Sequence, residues 1–194
     1  MKLQGKNDQE LVHMYINGQE QCLSELIYRH KSKIYTSIYL LVKDQYLAED
    51  IFQDTFIKVI NTLKAGKYNE EGKFLPWVIR IAHNLVIDHF RRDKRTPIVT
   101  TSDGYDIFET LQFYDESVED VMVREQTYSD LKAMIHRLPS EQKEVLIMRH
   151  YGDLSFKEIA DVTNVSINTA LGRMRYALNN LRKMMETKEL SLGN

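Results

Sequence analysis

An all-α protein of two small helical domains joined by an acidic linker is predicted, on three observations. Apolar residues recur at three- and four-residue spacing through most of the chain. With 8 Gly and 3 Pro in 194 residues, the repeated turns of an all-β fold are scarce. The charge is strongly uneven, although the net charge is only -2. Residues 1–95 carry 15 Lys/Arg against 12 Asp/Glu, residues 96–126 carry 1 against 8, and residues 127–194 carry 10 against 8. The acidic middle is rich in turn formers and weak in periodicity, which reads as a linker. The alternative is a surface loop within one domain.

Composition excludes several classes. The single cysteine, Cys22, forbids an internal disulfide or a multi-cysteine metal site. The longest apolar run, Ile38 to Val42, is five residues, whereas a membrane helix needs about 20. The opening Met1-Lys2-Leu3-Gln4-Gly5-Lys6 lacks the apolar stretch of a secretory signal, so a soluble cytoplasmic protein is expected. The six histidines show no i, i+4 ligand spacing and no phosphate loop is present, so neither a cofactor, a metal nor a catalytic site is expected.

In the first block, Leu11, Tyr15 and Ile16 begin one helix. Leu23, Leu26, Ile27, Ile34, Ile38 and Leu41 mark the buried face of another over about 20–42. In the next, Ala48, Ile51, Phe52, Thr55, Val59 and Ile60 can face a core. Glu49, Asp50, Gln53, Asp54 and Ile57 lie opposite. Such an acidic stripe is a solvated face unless a basic partner exists.

A loop from Lys64 to Lys73 combines glycine, lysine and Tyr68, a composition suited to an unstacked base and equally to an ordinary connection. The helix that follows has Pro76 in its first turn, where a missing N–H costs nothing. Val78, Ile81, Ala82, Leu85, Val86 and His89 form its inward side, and Trp77 is expected in the core. Arg80, Asn84, Asp88, Arg91 and Arg95 recur in steps of three and four as one polar stripe. Arginine and asparagine on one face can touch phosphates and bases, with Asp88 orienting Arg91 or Arg92. Solvated helix ends are the plainer reading.

In the second block, Leu131, Met134, Ile135 and Leu138 form a helix ending before Pro139, and another starts at Ser140. Ser155 with Glu158 is a capping box, so a short helix begins there. Asn164 suits a left-handed turn residue, and Ser166 caps a basic helix from Ile167 to about Met185. A short helix, a tight turn and a longer basic helix make a helix-turn-helix, rather than a plain helical hairpin. Ile159, Val165, Ala170 and Met174 supply its core. Asn168, Thr169, Gly172, Arg173, Arg175 and Tyr176 lie at the exposed start of the second helix, with chemistry suited to a major groove.

The order of these segments resembles the bacterial RNA polymerase sigma factors of the extracytoplasmic-function (ECF) group, in the sigma-70 superfamily. The resemblance rests on Ala48-Glu49-Asp50 with Gln53-Asp54-Thr55-Phe56, on Trp77 with Ile81-Ala82-His83-Asn84, and on Asp88-His89-Phe90-Arg91-Arg92. It continues in Leu138-Pro139, in Leu154 to Ala160, and in Asn168 to Arg175. It covers about residues 8–95 and 127–185.

The resemblance implies sigma region 2 over 1–95, an acidic linker over 96–126, and a region 4 helix-turn-helix over 127–194. Asp50, Gln53, Asp54 and Phe56 would dock on the β′ clamp helices of core RNA polymerase. Arg80, Asn84, Asp88, Arg91 and Arg92 would face the promoter −10 element, and Lys67, Tyr68 and Asn69 would receive a flipped base. Ser166, Asn168, Thr169, Gly172, Arg173, Arg175 and Tyr176 would serve −35 recognition, with region 4 also touching the β flap. The linker would lie near the RNA exit path. Promoter DNA, core polymerase and, in many family members, an anti-sigma factor are the implied partners, without membrane insertion. Leu171 and Tyr176 stand where many members have Lys and Arg, which implies fewer phosphate contacts. A stand-alone helix-turn-helix regulator is the alternative, but a sensor domain has no use for Arg80, Asn84 and Arg91 on one face.

Overall fold

Local chemistry sets the helix boundaries. A computed structural model of the chain describes residues 3, 5–69, 73–93 and 130–192, so the acidic linker and Arg95 lie outside the described residues. Helix α1 (Asp8–Ile16) starts at a capping box, with Asn7 bonded to the Glu10 amide at 2.8 Å and Glu10 returning to the Asn7 amide at 2.9 Å. Helix α2 (Gln21–Val42) stops at Lys43, which adopts the left-handed conformation at φ 60°. Asp44 then caps α3 (Gln45–Lys64) through the Leu47 amide at 2.8 Å. Helix α4 (Phe74–Asp93) completes the first bundle.

The predicted inward residues of α2 to α4 are buried or half-buried here, with Leu26, Ile34, Ala48, Val59 and Val78 fully enclosed. The buried hydroxyl of Thr55 donates to the Ile51 carbonyl at 2.7 Å, so the core keeps no unpaired polar group there.

The second block holds a helical stretch over 130–137 (α5), then α6 (Ser140–His150), α7 (Phe156–Thr163) and α8 (Ile167–Leu192). The Ser155–Glu158 capping box is formed, and Asn164 ends α7 at φ 54°, ψ 48°. Burial works against the Glu158 charge. Bonds from the Ser155 hydroxyl and amide and from Lys73 outweigh it and hold its pKa at about 2. Replacing Ser155 by Ala is expected to cost about 1 kcal/mol of stability, read as a lowered urea midpoint at unchanged m-value. Helix α8 continues past the predicted end near Met185 to Leu192. Ala177 and Leu181 bury its inner face against Ile135, Leu138, Leu146 and Ile147, which sustains the helix beyond its recognition end.

The two blocks pack directly on each other. Leu40 of α2 is fully buried among Ile135, Leu138, Leu146, Ile147, Ala177 and Leu181 of the second block. Ile79 of α4 comes so close to Gly152 that a Cβ there would lie 3.0 Å from its Cγ2 atom. Lys33 pairs with Asp153 at 3.1 Å, and Lys73 with Glu158 at 2.9 Å.

His136 also lies at this seam. Burial, then Lys43, Lys143 and Lys132, push its pKa down to about 4. Its backbone carbonyl accepts from Lys43 at 3.2 Å, and its ring meets Tyr39 edge-on at 6.2 Å. A base held neutral by folding contributes stability that is full above its unfolded value near 6.5 and is lost as pH falls towards 4. His136→Gln is therefore expected to lose less Tm than the parent protein between pH 7.5 and pH 5. An identical loss in both would remove His136 from the account.

Candidate nucleic-acid interface

The turn between α7 and α8 is tight because Ala160 and Ala170 are both buried, letting the helices cross closely. The Val165 amide closes it on the Ala160 carbonyl at 3.0 Å. Ser166 caps α8: its hydroxyl accepts the Thr169 amide at 3.0 Å and lies 2.8 Å from the Thr169 hydroxyl. Beyond this cap, Asn168, Thr169, Arg175 and Tyr176 are exposed, and Gly172 and Arg173 are half-buried. The Arg175 guanidinium lies over the Tyr176 ring at 5.5 Å. Arg173 is near enough to Glu141, at the start of α6, to help hold that carboxyl below its usual range, after hydrogen bonds from the Glu141 backbone and Ser140. The seven residues predicted for this helix thus share one outward end of α8.

On α4, Asn84, Arg91 and Arg92 are exposed, while Arg80 and Asp88 are half-buried. Asp88 lies 3.9 Å from the Arg91 guanidinium, a loose, solvent-exposed ion pair beyond hydrogen-bond distance. The Arg80 Nε is buried without a hydrogen-bond partner. In the loop, Lys67 and Asn69 are exposed. Tyr68 is half-buried, its ring 4.3 Å from that of Trp77, so it extends the aromatic packing of Trp77 and Phe74.

On α3, Asp50, Gln53 and Asp54 are exposed as one stripe. Phe56 departs from the expected surface role. It is buried at 7% exposure, with its ring 5.0 Å from Phe52, because its position turns into the bundle. It supports the stripe from behind. Tyr46 and Ile57, exposed at 78% and 55%, extend the stripe at both ends; the sequence places Ile57 on this face, but not Tyr46. The spacing of Tyr46 from Asp50, four residues, was the available signal.

A second apolar stripe on α4 was also missed. Ile79 and His83 are buried, and Ile87 is half-buried, on the side that meets the second block. Neither ring nitrogen of His83 has a hydrogen-bond partner, and Nε2 lies 3.9 Å from Glu144 of α6. Among the described residues no helix is long and apolar enough to cross a membrane.

A helix-turn-helix whose recognition end is free, joined to a helical bundle with its own Arg/Asn face, defines a DNA-binding transcription protein. Comparison with known proteins narrows this. Residues 26–96 match the family Sigma-70 region 2, and residues 128–180 match Sigma-70, region 4. The RNA polymerase sigma factor YlaC of Bacillus subtilis is 30% identical over 158 residues, covering 78% of this chain and 88% of YlaC. The ECF RNA polymerase sigma factor SigW of the same organism is 26% identical, over 87% of this chain and 91% of SigW. The RNA polymerase sigma-H factor of Pseudomonas aeruginosa is 28% identical, over 93% and 95%.

The chain belongs to the sigma-70 family of RNA polymerase sigma factors, in the ECF group. The fold agrees with solved structures. CnrH, in complex with the cytosolic domain of CnrY, has a TM-score of 0.62 at 18% identity, covering 94% of this chain and 99% of CnrH. RpoE from Bartonella quintana, in complex with the anti-sigma factor NepR, has a TM-score of 0.65 at 17% identity, covering 84% and 96%.

Proposed function

We propose that this sigma factor brings core RNA polymerase to promoters by reading two elements with two separate modules and opening the DNA between them and the start site. Residues 1–95 are the −10 and polymerase module, residues 127–194 the −35 module. Asp50, Gln53 and Asp54 dock on the basic β′ clamp helices, and region 4 also contacts the β flap. Arg80, Asn84, Asp88, Arg91 and Arg92 face the −10 element. Ser166, Asn168, Thr169, Gly172, Arg173, Arg175 and Tyr176 serve the −35 element.

Melting needs no ATP and no catalytic residue. Unstacking costs a few kcal/mol per base, which capture of a flipped base beside Lys67, Tyr68 and Asn69 offsets. The observation that carries this reading is the exposure of three chemically distinct faces on one chain: acidic on α3, Arg/Asn on α4, and Arg/Asn/Thr on α8. The relatives solved as complexes with CnrY and NepR support an anti-sigma factor as a further partner. The protein works with polymerase, in the cytoplasm.

The net charge of -2 leaves the isolated chain little general affinity for phosphate. Polymerase supplies the rest by fixing both modules at once. The test is run-off transcription by bacterial core polymerase from the protein's own upstream region. Transcript only in its presence is the expected result. No transcript and no association with core polymerase, but tight binding of a duplex by the protein alone, would overturn the reading in favour of a stand-alone regulator.

A further inference from the structure

Two adjacent residues of the recognition helix are left unexplained by the fold, and the inference from them rests on the −35 reading above. Gly172 lies within the first two turns of α8, inside a helix that runs on to Leu192. A glycine in a helix interior is destabilising relative to alanine, because it loses more backbone freedom on folding. Glycine is suited to places where the chain needs a positive φ, or where another group comes too close for a Cβ. Neither applies within this fold. Gly172 is not among the glycines with positive φ, and a Cβ there would meet nothing within 4 Å among the described residues. The close neighbour that this glycine would serve is therefore outside the chain. Leu171, beside it, is exposed at 43%. One exposed leucine on its own needs no explanation. Its setting is what counts: Asn168 lies one turn before it and Arg175 one turn after, both exposed, so Leu171 stands within the face proposed to enter the groove.

We propose that Gly172 and Leu171 together read a thymine methyl in the −35 element: the missing side chain lets α8 settle against the base edges, and the leucine packs on the C5-methyl group of one thymine. In a helix-turn-helix the N-terminal part of the second helix lies against base edges in the major groove. Leucine neither donates nor accepts a hydrogen bond, so phosphates and the polar edges of guanine, cytosine and adenine offer it no partner. The thymine methyl is the one apolar group on the major-groove edge. The polar neighbours complement it, since Asn168 carries the chemistry that grips adenine, the base opposite thymine. Leu171 thus selects an A·T pair by shape and apolar contact. It does so without releasing counterions, so its contribution does not fade with added salt as a phosphate contact does.

The test uses holoenzyme assembled from core polymerase and the full chain, on the native promoter with each −35 thymine, on either strand, replaced in turn by deoxyuridine. The replacement keeps the pairing with adenine and removes the methyl group alone. One replacement is expected to lower promoter binding and run-off transcription by the parent protein about fourfold, which is about 0.8 kcal/mol for one buried carbon group at about 1.4 kcal/mol per tenfold. Leu171→Ala is expected to transcribe the unmodified promoter close to that lower level, to ignore the same replacement, and to keep the parent's slope of log affinity against log salt. Gly172→Ala is expected to raise Tm, since alanine suits a helix interior better, and yet to lower transcription at least fivefold. Insensitivity of the parent to every replacement would overturn the proposal, as would an equal drop in the parent and in Leu171→Ala. Equal losses by Leu171→Ala on all templates, with weaker co-elution with core polymerase, would overturn it by placing the leucine against a protein. Normal transcription by Gly172→Ala would overturn the close approach of α8. In each of these cases the unmodified promoter is still transcribed and the sigma-factor reading stands. No transcript from the unmodified promoter would overturn that reading and this proposal with it.

Discussion

Reversing two charges on α3, Asp50→Lys with Asp54→Lys, is expected to cut polymerase-dependent transcription about 100-fold or more and to abolish co-elution with core polymerase. Both carboxylates are exposed, and neither makes a hydrogen bond or ion pair within the described fold, so folding stability is expected to move by no more than about 0.5 kcal/mol. The loss arises at the partner. On the docking proposed above, a basic surface that would meet two carboxylates instead meets two ammonium groups, and like-charge juxtaposition at an interface costs several kcal/mol. About 3 kcal/mol corresponds to 100-fold.

The control that gives the experiment its meaning is Phe56→Ala. That side chain is buried, and its removal is expected to cost about 3–5 kcal/mol of stability through the cavity it leaves. Its variant loses function by unfolding, with a lowered Tm. The charge-reversed protein keeps its Tm. If the reversed protein transcribes normally, the acidic stripe is a solvated face and polymerase docks elsewhere.

The contrast between Phe56 and Asp54 shows what the sequence makes legible. Residues whose role follows from their own few neighbours in the chain were readable. The Ser155–Glu158 box, the left-handed Asn164, the cap at Ser166 and the alternating faces of α3 all depend on spacing of four residues or fewer. What depends on the other block was not readable from one helix at a time. Phe56 sits next to the acidic stripe in sequence, but the bundle turns it inward onto Phe52.

Leu40 reads as one more apolar residue of α2, and only the fold shows that it completes the core of region 4. Helix α4 carries Ile79, His83 and Ile87 in steps of four. This is a second apolar stripe, unnecessary for a helix packed on one side only and so a signal of a second neighbour. Tyr68 divides the two cases. Its loop composition suggested a base platform, whereas its packing on Trp77 gives it a structural partner as well.

Arg173 and Arg175 differ in setting, and their alanine variants are expected to fail in different ways. Arg173 is half-buried near Glu141 at the start of α6, so its reach is more restricted than that of an exposed arginine. A guanidinium at the outward end of α8 suits bidentate contact with a base edge, worth about 1–3 kcal/mol of discrimination. Arg173→Ala is expected to lower transcription from the native promoter by about 5- to 150-fold while narrowing the difference between native and altered −35 sequences. Arg175 is exposed and lies over the Tyr176 ring, free to follow a phosphate. Arg175→Ala is expected to weaken all promoters alike and to reduce the slope of log affinity against log salt by about 1.

The measurement is a set of −35 variants transcribed by reconstituted holoenzyme at several salt concentrations. Equal losses on every sequence for Arg173→Ala would assign it to phosphate and leave base reading to Asn168 and Thr169. A change of preferred base with Arg175→Ala would exchange the two roles. Because each substitution removes a side chain that is not fully buried, stability changes stay small beside these effects, and the pattern across promoters, rather than the size of any single loss, identifies which arginine reads sequence.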